Sequence, residues 1–194
     1  MNAVNLQLFD LLNLSASASP WLVKLAMLMS TALPGFLLSF VISAIVIGRP
    51  RWRSTGIQAT LAMALSFPVA RILASLFDSA RPFVVGLGHQ WLAHAPTPGF
   101  PSTHATVAAA FAAAVWWSNP RSRLRWVGPL GALGIGWSRI ATGVHFPGDV
   151  LAGAVLGGAI GWGIVRLWSY MPRRLGNRPR TLMRESTLPS TSKL

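Results

Sequence analysis

The sequence predicts an all-α integral membrane protein: a helical bundle of about five transmembrane helices with an N-terminal amphipathic helix. Three observations predict it. Only 11% of the 194 residues are charged and 52% are hydrophobic, whereas a soluble domain carries about 25% charged residues. The mean hydropathy is +0.49, and apolar runs recur at lengths near the roughly 20 residues a bilayer core requires. The basic residues sit in short clusters between those runs, as in cytoplasmic loops. The formal charge of +13 therefore points to membrane lipid and away from nucleic acid. The absence of cysteine excludes a disulfide framework and thiolate metal sites.

Each element follows in order. Asn5 to Asn13 places Leu6, Leu8, Phe9, Leu11 and Leu12 on one side of a helix too short to span, which is expected at the membrane interface. Met1 to Pro20 has no basic n-region and carries Asp10, unlike a cleavable signal. Ser15 to Pro20 reads as a linker. Trp21 to Gly48 is the first expected span, with Pro34-Gly35 as the place for a kink. Arg49 to Arg53 reads as a basic turn. Thr55 to Phe77 is the second span and contains Arg71. Asp78 to Pro101 is a polar, Gly/Pro-rich loop. Ser102 to Trp117 is the third span, whose alanine face suits close packing. Trp126 to Thr142 is the fourth. Asp149 to Tyr170 is the fifth, with Gly153, Gly157, Gly158 and Gly161 spaced for helix contact. Residues 1–184 are expected to form one domain, and 185–194 a disordered cytoplasmic tail.

Charge tests this count. With five spans, the clusters Arg49 to Arg53, Arg121 to Arg125, and the tail with Arg173, Arg174, Arg178, Arg180 and Arg184 all fall on one side. The positive-inside rule makes that side cytoplasmic. The loops Asp78 to Pro101 and Gly143 to Gly148 then face outward, which in a bacterium is the periplasm.

The remaining unusual polar residues gather on the outward side in three sets: Arg81-Pro82, Pro101-Ser102-Thr103-His104, and Ser138-Arg139 with His145 and Asp149. Their convergence defines an oxyanion site, with phosphate the expected ligand. The free N–H groups of a helix opening at Ser102 and Thr103 bind phosphate; an N-cap serine uses the same geometry. Arg81 and Arg139 offer planar forks to phosphate oxygens. Asp149, four residues after His145, orients the imidazole and leaves its other nitrogen free to attack. His104 is placed to give a proton to the leaving oxygen. Together they suit two-step covalent catalysis through a phosphohistidine. His89 and His94 read as polar loop surface.

These sets resemble the type 2 phosphatidic acid phosphatase superfamily, whose signature is Lys-x6-Arg-Pro, then Pro-Ser-x-His, then Ser-Arg-x5-His-x3-Asp. Residues 101 to 104 meet the second part, and Ser138, Arg139, His145 and Asp149 meet the third. The first part keeps Arg81-Pro82 but has Ala74 in place of the lysine. Arg71 lies one turn earlier on the same face. It either supplies that charge or pairs with Asp78. The loop from Phe83 to Phe100 and the N-terminal helix are similar to the bacitracin-resistance branch, the undecaprenyl-diphosphate phosphatases. The resemblance implies a bacterial inner-membrane enzyme with a periplasmic site. It would remove the terminal phosphate from the polyprenyl carrier of peptidoglycan synthesis, without metal or cofactor. Arg81, Ser102, Thr103, Arg139, Ser138 and Arg71 would hold phosphate, and His145, His104 and Asp149 would be catalytic. The few nearby carboxylates, Asp78 and Asp149, fit a metal-free site. A phosphatase or phosphotransferase acting on phosphatidylglycerol phosphate, phosphatidate or lipid A would carry the same motifs, as would a non-catalytic lipid-phosphate binder.

Overall fold

A computed structural model describes residues 3–171, and those residues are helical with no strand among them. The basic tail and its expected disorder beyond Arg184 lie outside the described residues. The helices are α1 (Ala3–Leu12), α2 (Pro20–Thr31), α3 (Leu33–Val46), α4 (Pro50–Phe77), α5 (Thr103–Ser118), α6 (Val127–Ala141) and α7 (Pro147–Tyr170). One-turn 3-10 helices at Pro82–Val85 and Arg123–Trp126 interrupt the loops. Proline opens α2, α4 and α7 and is the second residue of α3. At these positions its missing N–H is one the helix could not use.

Three boundaries differ from the sequence expectation. The first span is two helices, α2 and α3, meeting at 42°. Pro34 has no N–H for the carbonyl of Ser30 and its ring crowds that carbonyl, so the helix breaks there. Arg49 to Arg53 is no separate turn: Arg49 is the extended N-cap and Pro50 starts α4, which runs 28 residues through Pro68. The fifth helix starts at Pro147, ahead of Asp149.

The chain is a membrane protein by its apolar helices. Two stretches, Pro50–Val85 and Pro147–Tyr170, are long and apolar enough to cross a bilayer, and the bent α2–α3 pair makes a third. Helices α5 and α6 have 16 and 15 residues. At about 1.5 Å per residue both are shorter than a hydrocarbon core of about 30 Å. Large apolar side chains point outward, among them Phe36, Ile42, Leu65, Ile72, Leu151 and Val155. The interior is rich in small residues, with buried polar ones at both ends: Thr55, Gln58 and Asn119 at one, Arg81, Arg139, His145 and Asp149 at the other.

Helix α5 is the centre of the bundle, packed on α7, α4 and α6. Its buried alanines let α7 approach along Gly153, Gly157 and Gly161. A Cβ on Gly157 would stand 2.9 Å from the Ala110 amide nitrogen, and nearer still to the Thr106 carbonyl oxygen. Gly157→Val is therefore expected to destabilise the fold by about 1–3 kcal/mol, the usual cost of overpacking. At Gly158 a Cβ meets nothing within 4 Å. Thermal melts of the detergent-solubilised variants should show Gly157→Val melting well below Gly158→Val.

The two ends of the bundle differ. Asn119 donates to Thr55 Oγ1, and Arg125 stacks 4.2 Å over Trp116. These contacts join the start of α4 to the α5–α6 connection and put the two described basic clusters at one end. The 78–102 loop, the α6–α7 turn and α1 meet at the other. Helix α1 departs from the expected one-sided stripe. Phe9 is fully buried against Phe146 (ring centroids 5.3 Å apart), with Leu6 and Leu12 packed beside it. Leu8 and Leu11 face away. The apolar residues thus serve two surfaces, because Phe9 seats α1 on the α6–α7 turn.

Candidate active site

Most of the sequence-predicted site residues converge at that second end. Ser138 and Arg139 lie in the last turns of α6, His145 in the turn after it, and Asp149 in the first turn of α7. Ser102 is the N-cap of α5, followed by Thr103 and His104. The Ser102 N–H donates to the Asp149 carbonyl at 3.0 Å, which ties two of the three sets together.

His145 is 2% exposed. Its Nδ1 lies 3.4 Å from Asp149 Oδ2, and its Nε2 lies 2.9 Å from Arg81 Nη1. A guanidinium can only donate, so Nε2 accepts and Nδ1 carries the proton toward Asp149. This assigns the tautomer from the hydrogen-bond pattern. The same carboxylate oxygen accepts the Phe146 N–H at 3.0 Å, which holds it at the start of α7. Burial, then the charges of Arg81 and Arg139, push the His145 pKa well below its ordinary 6.5. At neutral pH its Nε2 is therefore unprotonated and accepts from Arg81.

Arg81 is buried and fully engaged. Its Nε donates to Thr97 O at 2.7 Å, Nη2 to Pro98 O at 3.2 Å, and Nη1 to Val144 O at 2.9 Å. The sequence predicts a fork directed at phosphate. In this structure the fork holds the end of the 78–101 loop against the His145 turn.

Arg139 is 1% exposed, and its Nη1 donates to Ser30 Oγ at 2.7 Å. Among the described residues, the buried side-chain polar atoms with no hydrogen-bond partner are Arg139 Nε, Arg139 Nη2 and Ser102 Oγ. Leaving such atoms unpaired costs about 1–3 kcal/mol each, more for a charged group. All three belong to the second and third sets. Ser138 departs from expectation: its Oγ donates to Ile135 O at 2.8 Å, back into its own helix. A serine inside a helix has that carbonyl within reach, and there its hydroxyl is spent.

A cavity of about 250 Å³ is lined by Phe67, Arg71, Arg81, His94, Thr103, His104 and His145. A second, apolar cavity of about 210 Å³ adjoins it, lined by Leu37, Met63, Phe111 and Ile135 among others. The two share Phe67, Thr103 and His104. A molecule with an anionic head and an apolar chain fits this pair, with His104 at the junction. Arg71 makes no ion pair with Asp78, which caps α4 in a left-handed conformation (φ 37°). Its side chain lines the polar cavity instead.

Sequence reasoning missed several contributors. His94, expected on the surface, lines the cavity, its Nδ1 2.9 Å from Ala95 O. Burial and the nearby arginines lower its pKa. His89 keeps to the loop, its ring edge-on to Trp91. Just past α1, Asn13 Nδ2 donates to the carbonyls of Ile140, Ala141 and His89, and Asn13 Oδ1 accepts the His89 N–H. Asn5 Oδ1 accepts the Gly148 N–H at the head of α7 at 2.8 Å. These residues brace the His145 turn from behind. The available signal is polar residues interrupting apolar sequence: Asn5 in α1, Asn13 just after it, and Ser30 before Pro34.

The chain is similar to several known proteins. A match to the PAP2 superfamily spans residues 55–173. The chain is 34% identical over 180 residues to an Escherichia coli (strain K12) protein named putative undecaprenyl-diphosphatase YbjG, covering 90% of this chain and 88% of that one. It is 36% identical over 93 residues to undecaprenyl-diphosphatase BcrC of Bacillus subtilis (strain 168), covering 47% of this chain and 46% of that one. Among solved structures it resembles Aquifex aeolicus LpxE, with a TM-score of 0.68 and 28% identity, over 85% of this chain and 96% of that one.

Proposed function

The chain belongs to the PAP2 superfamily, and from that membership we propose that it hydrolyses undecaprenyl diphosphate to undecaprenyl phosphate and phosphate. The observation that carries the reading is the set of unpartnered buried atoms on Arg139 and Ser102, beside a neutral His145 held by Asp149. Donors held in a dry site without partners suit an anion that supplies the acceptors. The names of the relatives supply the lipid.

In the proposed cycle His145 Nε2 attacks the terminal phosphorus. The bond from phosphorus to the bridging oxygen breaks, and the electron pair leaves on the lipid phosphate. His104, at the junction of the two cavities, gives that oxygen a proton. Arg81 Nη1, which donates to Nε2, transfers its hydrogen bond to a phosphoryl oxygen as the new P–N bond forms. Arg139, Ser102 and the Thr103 N–H hold the other oxygens. Water then attacks the phosphohistidine, His104 takes its proton, and phosphate departs. The lipid chain lies in the adjoining apolar cavity. Five membrane passes, with α5 and α6 completing the set, put this site on the outer face of a bacterial inner membrane, opposite the basic clusters. Within the expected 1–184 domain, the described residues 3–171 act as a single unit.

A neutral His145 fixes the acid limb of the pH profile. Free imidazole becomes protonated below about pH 6.5. With the His145 pKa lowered, kcat/KM should hold to a lower pH than that and fall only as the ring takes up a proton. Arg81→Gln removes a neighbouring positive charge and should move the limb upward. Ionisations of the lipid diphosphate are common to both enzymes and cancel in the comparison.

The test of function is phosphate release by the purified protein from a panel of undecaprenyl diphosphate, phosphatidylglycerol phosphate, phosphatidate and lipid A, in EDTA. The reading expects the highest kcat/KM on undecaprenyl diphosphate, without a phosphoryl acceptor. Faster release from another lipid, or strict dependence on an acceptor, would overturn it.

A further inference from the structure

Transfer of one phosphoryl group to His145 employs Arg81, Arg139, Ser102, Thr103 and His104. Two groups in the same cavity are left over. Arg71 and His94 line the polar cavity beside His104 and His145, but neither lines the apolar one. Arg71 makes no hydrogen bond or ion pair with any described residue, in contrast to Arg81 and Arg139. It lies close enough to Arg81 and His94 for its charge to be felt at both. Like charges held together raise the free energy of the site, and the Asp149 carboxylate is taken up behind His145. A second anion beside the first would reverse that cost.

We propose that Arg71 and His94 form a second anion subsite, which holds the phosphate that stays on the lipid while the terminal phosphoryl group moves to His145. The assignment rests on the diphosphatase reading and adds the device that selects a diphosphate. The order of the cavities supports it. The terminal phosphoryl group lies at His145 and Arg81, and the chain runs past His104 into the apolar cavity. The retained phosphate must therefore lie within the polar cavity, whose polar lining not employed by the transferred group is Arg71 and His94. The Ala95 carbonyl accepts from His94 Nδ1, so that ring nitrogen carries hydrogen and Nε2 is left for the ligand. A bound anion offsets the arginine charges around His94, so Nε2 takes up a proton and donates to a phosphate oxygen. A leaving group with no charge, such as the glycerol of phosphatidate, would give this pair nothing to bind.

The subsite also gives the absence of the family's lysine a physical reading. Ala74 is buried against the bundle. One turn earlier, Arg71 reaches the cavity from an exposed position, with a fork suited to phosphate oxygens.

The test uses two soluble probes with one tail, farnesyl diphosphate and farnesyl monophosphate, and the purified full-length chain as wild type, Arg71→Gln and His94→Gln. Each substitution removes one charge-assisted contact to the retained phosphate. It should lower kcat/KM on the diphosphate about tenfold more than on the monophosphate. Arg71→Lys should recover part of the difference, since it restores charge but not the fork. Monophosphate turnover reports in the same sample that the site has folded. Equal losses on the two probes would overturn the subsite while leaving the diphosphatase reading intact. A wild-type enzyme with no preference for the diphosphate would instead overturn the reading itself, and the subsite with it.

Discussion

His145→Ala is expected to abolish turnover, lowering kcat by at least about 10⁴-fold, as loss of a covalent nucleophile does elsewhere. The geometry leaves no substitute. Asp149 holds Nδ1, and Nε2 is the atom turned to the donors that will serve phosphate. The other cavity histidines are His104, at the head of α5, and His94, whose Nδ1 is bonded to Ala95 O. Neither has a carboxylate behind it; among the described residues, His145 with Asp149 is the one histidine–carboxylate pair. Steady-state phosphate release checks the loss. A melting temperature near wild type separates lost chemistry from lost fold. Wild-type turnover in this variant would rule out nucleophilic His145.

His104→Ala has the second largest expected effect, and the two chemical steps should feel it differently. A phosphate monoester titrates near pH 6, so the lipid phosphate of a diphosphate leaves well without a proton. The alkoxide of a monophosphate does not. General acid loss of about 10²–10⁴-fold should therefore fall fully on the first step with a monophosphate and only weakly with a diphosphate. The second step needs a base for water with either substrate. On the diphosphate, His104→Ala should form the phosphoenzyme readily and hydrolyse it slowly. Rapid-quench kinetics should show a burst close to one equivalent followed by slow turnover. Linear kinetics without a burst would count against His104 as the group that serves the second step.

How much was legible in the sequence follows from how locally each feature is determined. The second and third motifs were legible because their chemistry is local. An anion-binding helix start needs adjacent residues, and Asp149 reaches His145 only across a fixed short turn. The glycines of α7 were legible because helix contact imposes a period of about four residues. The fate of Arg81 was not, because its acceptors are carbonyls at Thr97, Pro98 and Val144. Backbone acceptors are carried by every residue type and leave no trace in composition. His94 was misread for a related reason: its position in the cavity depends on how a loop of more than twenty residues folds back, and Arg81 fixes that fold. The break between α2 and α3 was half legible. Pro34 marked it, but the reward for bending, Ser30 meeting Arg139 across the bundle, involves partners 109 residues apart. Ser138 shows the converse. It satisfies the family motif, yet its hydroxyl is used within its own helix.

The central claim is that phosphate passes through a covalent bond to His145 Nε2. Its most direct measurement is to incubate His104→Ala with undecaprenyl diphosphate labelled in the terminal phosphate, quench in alkali, and map the label by peptide mass spectrometry. The account predicts a base-stable, acid-labile phosphoryl group on His145, which in the wild-type enzyme turns over to free phosphate and which is absent when His145 is also replaced. Phosphate release in the first turnover with no label on His145, or a label on another residue, would contradict it.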